Sequence, residues 1–327
     1  MWKGLSRRAS LAAVVATVTV GALLPVGMAH AETIGVRSHA TLLRVASGSP
    51  DLMWLNRRTD EMSSWLLDPT GTVTGTQSLS WRCAALTCRN EWRTVGLADL
   101  NSDGHQDLMW FNGFSGEVST WLLNGAGTVT GTQSLSWRCG PDCSHVWVPI
   151  ALADVNSDGH VDLMWVNGSS GEVSTWLLDG AGTVTGTQSL SRRCDSASGC
   201  RGTWRPVGSA DVNSDGHPDL MWHNWSSGEL STWLLDGTGT VTGTQSLSWQ
   251  CGVGCVNSVW QALGVADVNA DGHPDVTWYS HGSGEVSSWL LDGTGTVTGT
   301  QSLSWRCGDD SGCPTDWMPV GLGDVNT

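Results

Sequence analysis

The sequence predicts an all-β protein: a β-propeller of five four-stranded blades, closed by joining strands from the two ends of the chain. Three observations predict it. One unit recurs five times, each unit reads as four short strands, and the last unit stops where the first begins. The unit is marked by a tetrapeptide ending at Trp54, Trp110, Trp165, Trp222 and Trp278, with spacings of 56, 55, 57 and 56 residues. The decapeptide GTVTGTQSLS is identical in all five copies, starting at Gly71, Gly127, Gly182, Gly239 and Gly295. Units of this length, stacked so that large side chains fill the gaps between neighbours, describe a propeller. A β-sandwich or an open solenoid suits so regular a unit less naturally.

In the second copy strand A is Trp92–Ala98, B is Asp107–Asn112, C is Glu117–Leu123 and D runs from Thr128 to Trp137. Gly-rich turns separate them, and helical periodicity is absent. Strand C sets Val118, Thr120 and Leu122 against Ser119, Trp121 and Leu123, so both faces suit burial. Strand D puts Val129, Leu135 and Trp137 on one face and Thr128, Thr130, Thr132, Ser134 and Ser136 on the other, which suits an outer strand with one wet face. The C-terminal piece, Trp317 to Asn326, repeats strand A and the start of the following loop. The N-terminal piece resumes with the end of that loop and strand B at Pro50–Trp54. Joined, they complete one blade from both termini. In a longer array, residues 40–46 would instead serve as a degenerate strand A.

The 21 tryptophans follow the same rule. One class is the tetrapeptide set above, and a second is Trp65, Trp121, Trp176, Trp233 and Trp289. A third is Trp81, Trp137, Trp249 and Trp305, with Arg192 in its slot in copy three. The fourth is Trp92, Trp147, Trp204, Trp260 and Trp317. Only Trp2 and Trp225 fall outside.

The chain has 327 residues and a formal net charge of −15, with Lys3 its only lysine. No basic cluster exists to track a phosphate backbone, which argues against a nucleic-acid partner. Residues 1–31 read as a signal peptide: Lys3, Arg7 and Arg8, an apolar run from Leu11, and a small-x-small site at Ala29-His30-Ala31. Removing those three positive charges takes the net charge from −15 to −18. The mature form, residues 32–327, is then expected to be secreted and not inserted in a membrane. Export is by the Sec route or, on Arg7-Arg8, by the twin-arginine route, although Ser10 stands where a bulky apolar residue is favoured.

Between strands A and B lies the motif Asp-x-Asn-x-Asp-Gly-x-x-Asp. Three carboxylates and an amide within nine residues repel one another unless a cation sits among them, and calcium takes six to eight such oxygens. The first set is Asp99, Asn101, Asp103 and Asp107, with the His105 carbonyl as a fifth ligand. The others are Asp154, Asn156, Asp158, His160 and Asp162; Asp211, Asn213, Asp215, His217 and Asp219; and Asp267, Asn269, Asp271, His273 and Asp275. A tryptophan stands at position twelve, so this is not an EF-hand. About four Ca2+ sites are expected, against the alternative of a Gly-Asp-rich hairpin without metal. One histidine per blade is too sparse for zinc. At the closure Asp324 and Asn326 meet Asp51, but Ser47 replaces the middle aspartate, which predicts a weak or absent fifth site.

The runs ADVNSDGHPDLMW and SGELSTWLLDG resemble VCBS/FG-GAP repeats, the calcium-loop propeller units also found in integrin α-subunit heads. The resemblance spans residues 40–327 and implies a propeller with calcium in the A–B loops. It implies no single activity, because members are adhesion, ligand-binding or accessory modules. The five-unit count, the split loop and a cysteine pair in every unit depart from the pattern.

Those pairs are Cys83/Cys88, Cys139/Cys143, Cys194/Cys200, Cys251/Cys255 and Cys307/Cys313, each between strand D and the next strand A. In an exported chain, one close pair per repeat argues for five local disulfides that hold a connector rigid. Strand parity puts A–B and C–D turns at one end of the ring and B–C turns and D–A connectors at the other. The A–B end is nearly constant between copies and the cysteine end varies, as recognition loops on a rigid frame do. Candidate ligand residues there are Trp81, Arg82, Trp137, Arg138, Arg193, Trp225, Trp249, Tyr279, His281, Trp305 and Arg306. Trp137 shares the apolar face of strand D, so a core role competes for that slot. The expected function is a non-catalytic, multivalent binding module, lectin-like or adhesive, with glycans or a cell-surface protein as partner. An accessory protein-interaction domain is the alternative. An enzyme, such as a propeller-fold hydrolase or lyase, is disfavoured, because His223, Tyr279 and His281 are too few to build a nucleophile–base pair.

Overall fold

The computed structural model describes residues 49–82, 91–137, 139, 146–194, 203–250, 260–303 and 317–325. The signal-peptide reading and residues 40–46 lie outside those residues. So do eight of the ten cysteines: Cys83, Cys88, Cys143, Cys200, Cys251, Cys255, Cys307 and Cys313.

In chain order the strands are β1 (Asp51–Asn56), β2 (Glu61–Leu67), β3 (Val73–Arg82), β4 (Trp92–Ala98), β5 (Asp107–Asn112), β6 (Val118–Leu123) and β7 (Val129–Ser134). Then come β8 (Trp147–Ala153), β9 (Asp162–Asn167), β10 (Glu172–Leu178), β11 (Val184–Arg193), β12 (Trp204–Ala210), β13 (Asp219–Asn224) and β14 (Glu229–Leu235). The last are β15 (Val241–Gln250), β16 (Trp260–Ala266), β17 (Asp275–Ser280), β18 (Val286–Leu291), β19 (Val297–Ser302) and β20 (Trp317–Gly323). They form five four-stranded antiparallel sheets, ordered β20-β1-β2-β3, β4 to β7, β8 to β11, β12 to β15 and β16 to β19. We number the blades one to five in that order. Strands β4, β8, β12, β16 and β20 touch their neighbours in turn, and β20 returns to β4, so the five blades form a closed ring.

The closing strand is β20. Asp51 pairs with Gly323 and Asn56 with Trp317, so the first blade takes its A strand from the C-terminal end of the chain. This excludes residues 40–46 as that strand. Every A–B pair carries a bulge. In blade two Thr94 faces Trp110 and Gly96 faces Met109, leaving Val95 over. An extra residue of this kind bends the strand and increases its twist, as a propeller blade needs.

The core lies between blades. One cluster joins Met109, Phe111, Val118 and Leu135 of blade two to Leu163, Trp165, Leu178 and Val184 of blade three. The other four clusters repeat the arrangement round the ring. The first two tryptophan classes stack within each blade, with ring centroids 4.6 Å apart for Trp54 and Trp65 and 4.9 Å for Trp110 and Trp121. Where the residue after the first-class tryptophan is aromatic, it stands edge-to-face on the tryptophan of the next blade, as Phe111 does on Trp165 at 5.4 Å.

The decapeptide is identical because most of its polar groups have a fixed partner. Thr130 Oγ1 donates to the Leu122 carbonyl, and Ser134 Oγ donates to Glu117 at 3.0 Å. The glutamine crosses to the following blade: Gln133 Nε2 donates to the Ala181 carbonyl, Gln188 to Thr238, Gln245 to Thr294 and Gln301 to Pro69. The last of these spans the closure. The final serine does likewise, with Val184 N–H donating to Ser136 Oγ and Val241 N–H to Ser191 Oγ, both at 2.8 Å.

Strand D departs from its expected length in blade two. It ends at Ser134, because Ser136 N–H leaves the blade to donate to the Gly182 carbonyl of blade three. The alternation breaks there. Val129 and Leu135 are buried, but Trp137 is 44% exposed, so a core role for Trp137 is corrected to a surface one.

Candidate functional site

At the A–B end, each nine-residue loop is wound round its own first aspartate. Asp99 Oδ1 accepts from Asp103 N–H at 3.1 Å and Asp99 Oδ2 from Gly104 N–H at 2.9 Å. Asn101 Oδ1 accepts the Asp103 N–H as well, at 3.0 Å, while its amide donates to Asp103 Oδ2 at 2.9 Å. Asp103 Oδ1 accepts from His105 N–H at 2.9 Å. The loops opening at Asp154, Asp211 and Asp267 repeat the same bonds. Gly104 sits at φ +93°, left-handed backbone that an L side chain rarely adopts, which accounts for glycine at that turn.

The ninth residue has a different place. Asp107 is 0% exposed. Its Oδ2 accepts from Leu100 N–H at 3.1 Å and its Oδ1 from Leu123 N–H at 2.9 Å, so it ties the loop to the end of strand C. Burial, opposed by those two bonds and reinforced by the charges of Asp103 and Asp99, pushes its carboxyl up to about 7. Asp162, Asp219 and Asp275 are held the same way and pushed to about 7 by the same causes. At the closure Asp51 keeps this arrangement, accepting from Leu67 N–H at 3.0 Å and from Val325 N–H at 3.3 Å across the two ends of the chain. Asp324 is buried beside it, and Asn326 lies outside the described residues. Among the described residues, no three His, Cys, Asp or Glu side chains converge in a metal-holding cluster.

The loop histidines do more than offer a carbonyl. His160 Nδ1 is 3.5 Å from Ser102 Oγ in the preceding blade's loop, and His217 Nδ1 is 3.3 Å from Ser157 Oγ. These side chains link one loop to the next. The signal for it was the equal spacing of histidine and serine in the loops opening at Asp99, Asp154 and Asp211, the fourth carrying Ala270 in the serine's place.

At the other end, the cysteines meet the B–C turns. Cys139 N–H donates to the Gly116 carbonyl at 2.9 Å and Cys194 N–H to Gly171 at 2.7 Å. Both cysteines are buried; Cys143 and Cys200, their expected partners, lie outside the described residues. The other three expected pairs, Cys83/Cys88, Cys251/Cys255 and Cys307/Cys313, fall wholly outside them. Each of the five expected pairs thus has at least one member outside the described residues.

Trp137 stands edge-on to Trp176 of blade three, with centroids 6.0 Å apart. In the equivalent slot Arg192 lies 5.6 Å over Trp233 of blade four, and Arg193 is 3.7 Å from Glu172. Trp225 lies in the fourth B–C turn under the Arg205 guanidinium, at 4.6 Å. His281 occupies the same turn position in blade five. Tyr279 differs from expectation: its ring is buried edge-on to Trp54, at 5.9 Å, and belongs to the core. Trp81 and Arg82 close β3 and Trp249 lies near the end of β15, while Arg138, Trp305 and Arg306 fall outside the described residues. Sequence reasoning passed over Phe114 as a ligand residue, yet it is 76% exposed in the second B–C turn.

Twenty strands in five blades, with an aspartate loop between the inner two strands, define a repeat β-propeller. The FG-GAP-like repeat family matches residues 99–165, 154–222 and 211–278, more than half of the chain, and the protein belongs to that family. No curated protein sequence matches it. Among solved structures it is similar to an Agrocybe aegerita lectin, described as specific for non-reducing terminal N-acetylglucosamine. That likeness is 12% identity and a TM-score of 0.47, over 86% of this chain and 96% of the lectin. A putative 6-phosphogluconolactonase from Bacteroides uniformis aligns at 12% identity and a TM-score of 0.33, over 80% of this chain and 70% of that one.

Proposed function

We propose that this protein is a secreted, calcium-stabilised propeller that binds glycans through its cysteine end and performs no catalysis. One observation carries the reading: the two ends of the ring differ in kind. At the A–B end the polar groups repeat from blade to blade and are turned onto the loops' own N–H groups. The large exposed apolar side chains among the described residues, Phe114, Trp137 and Val148, all stand at the other end. Exposed rings beside hydrogen-bonding groups on a rigid frame suit the faces of sugars, and repetition round the ring supplies avidity. Among the described residues, the single-copy polar side chains His223, Tyr279 and His281 make no nucleophile–base pair, which supports a non-catalytic role.

The donor set of each A–B loop fits calcium. All its side-chain ligand atoms are oxygens, and a buried aspartate lies beside two like charges that a divalent ion would offset. Asp99, Asn101, Asp103, Asp107 and the His105 carbonyl would hold the ion in blade two, with the matching residues in blades three to five. The ion would supply positive charge and rigidity to the loop. Five local disulfides would fix the connectors: Cys83–Cys88, Cys139–Cys143, Cys194–Cys200, Cys251–Cys255 and Cys307–Cys313.

A glycan array probed with the mature protein in calcium tests the reading. Binding to a defined set of saccharides is expected. A silent array, with capture of one specific protein in its place, would favour the accessory-domain reading.

A further inference from the structure

Departures from the repeat are gathered on one side of the ring. At the cysteine end, two positions set the surface of each blade: the first residue of the B–C turn and the second residue of strand A. In blades two and three the turn residue is Gly113 or Gly168, and the strand residue beside Gly168, Val148, is left 44% exposed. In blades four, five and one it is Trp225, His281 or Arg57, each folded back on its own A strand. Arg205 lies over Trp225, His281 Nε2 donates to Gln261 Oε1 at 2.8 Å, and Arg57 donates to Met318 Sδ at 2.6 Å. These three blades are consecutive in the ring.

Beneath the first of these pairs lies His223. It is 3% exposed, its ring is 6.3 Å from Trp225 and edge-on to Trp278 of blade five, and its Nε2 has no hydrogen-bond partner. Buried polar atoms ordinarily have partners, so one that does not asks for an explanation. Charge is segregated too. Arg57, Arg58, Arg93, Arg192, Arg193 and Arg205 all lie at this end, whereas the A–B loops and C–D turns carry aspartates and no arginine. Of the acids in the arc, Asp60 is buried in the turn that carries Arg57, and Glu61, Glu229 and Glu285 accept from Ser78 at 3.3 Å, Ser246 at 2.7 Å and Ser302 at 3.2 Å on the outer strands. Arg57 and Arg205 are both exposed, one in the first and one in the last blade of the arc.

We infer that this arc over blades four, five and one is a single asymmetric site for an anionic saccharide, held by Arg57 and Arg205 and stacked on Trp225. The inference rests on the glycan-binding reading and sharpens it, from equivalent sites round the ring to one principal site. Guanidinium groups suit carboxylate and sulfate oxygens, and an indole suits the face of a sugar ring.

Titration calorimetry on the mature protein tests it, with oligosaccharides of equal length that are neutral, uronate-bearing or sulfated. Trp225→Gly, Arg57→Gly and Arg205→Val are the informative variants, because Gly113, Gly168 and Val148 already occupy the equivalent positions in blades two and three. Thr70→Ser, in a C–D turn at the opposite end of the ring, is the control. An acidic saccharide should bind with one copy per chain, more weakly at high salt, at least about tenfold more weakly in each arc variant, and unchanged in the control. The uronate and sulfate arms separate the two anion sources. Equal binding of neutral sugars with no loss in the arc variants overturns the single anionic site and leaves glycan binding standing. No binding of any saccharide overturns both.

Discussion

Asp107 holds two backbone N–H groups on its two carboxylate oxygens in a place without access to water. Asparagine offers one acceptor where two are used, so Asp107→Asn leaves a buried N–H facing an amide N–H. A loss of about 3 kcal/mol in chemical denaturation is expected. His223 makes a prediction about pH. Burial, and then the charge of Arg205, hold its pKa below the usual 6.5. As pH falls past about 6.5 the unfolded chain takes up a proton that the folded protein resists. Its stability contribution is therefore fully present above that value and lost as pH drops through the lowered folded one. The aspartates raised to about 7 act in the opposite direction over the same range. The His223 share is therefore read as the difference between the parent and His223→Phe, which copies Phe111 of blade two, in thermal melts from about pH 5 to 8. The variant should lose less stability, or gain more, as the pH falls. An unchanged slope in the variant would assign the acid loss to other groups. Burial of the aspartates was legible only in part. Spacing marked Asp107 as one ligand among equals, whereas its link to Leu123 depends on where strand C ends.

Among the elements, strand D is where reading and structure diverge. Four strands per unit, their order and strand B's bounds were legible because glycine turns and the two-residue period mark them directly. The role of the decapeptide was not. Alternation assigns its threonines and serines to a wet face and puts the glutamine on the side of Val129 and Leu135, and the partners of Gln188 and Ser191 lie in another blade, a relation that one unit's pattern does not contain. Trp137 fails for the same reason, since Ser136 leaves the ladder to reach blade three. Ser191→Ala would strand the Val241 N–H and should cost about 1 kcal/mol, read as a lowered denaturation midpoint with an unchanged slope. Gly116→Ala should cost more. Gly116 has φ +72°, and a Cβ there would overlap the Cys139 carbonyl. A variant as stable as the parent would mean that the turn and the connector move apart easily.

For the whole molecule, the ring is the unit of stability, because every core cluster is shared by two blades. Removing residues 317–327 deletes β20, exposes the edge of β1 and leaves two blade faces without a neighbour. The expected result is loss of the monomer by unfolding or by association through the open edge, seen by light scattering and circular dichroism. Excess chelator should lower the melting temperature substantially, since an ion bound only by the folded protein stabilises it by mass action. The order of synthesis adds a further consequence. Blades two to five pair strands that are neighbours in sequence and can form as they emerge from the ribosome. Blade one waits: Asp51–Asn56 meets its second partner only when Trp317–Gly323 has been made. Until then β1, paired with β2 on one side, carries an open edge on the other, and a chaperone that shields such an edge would act on this segment before any other.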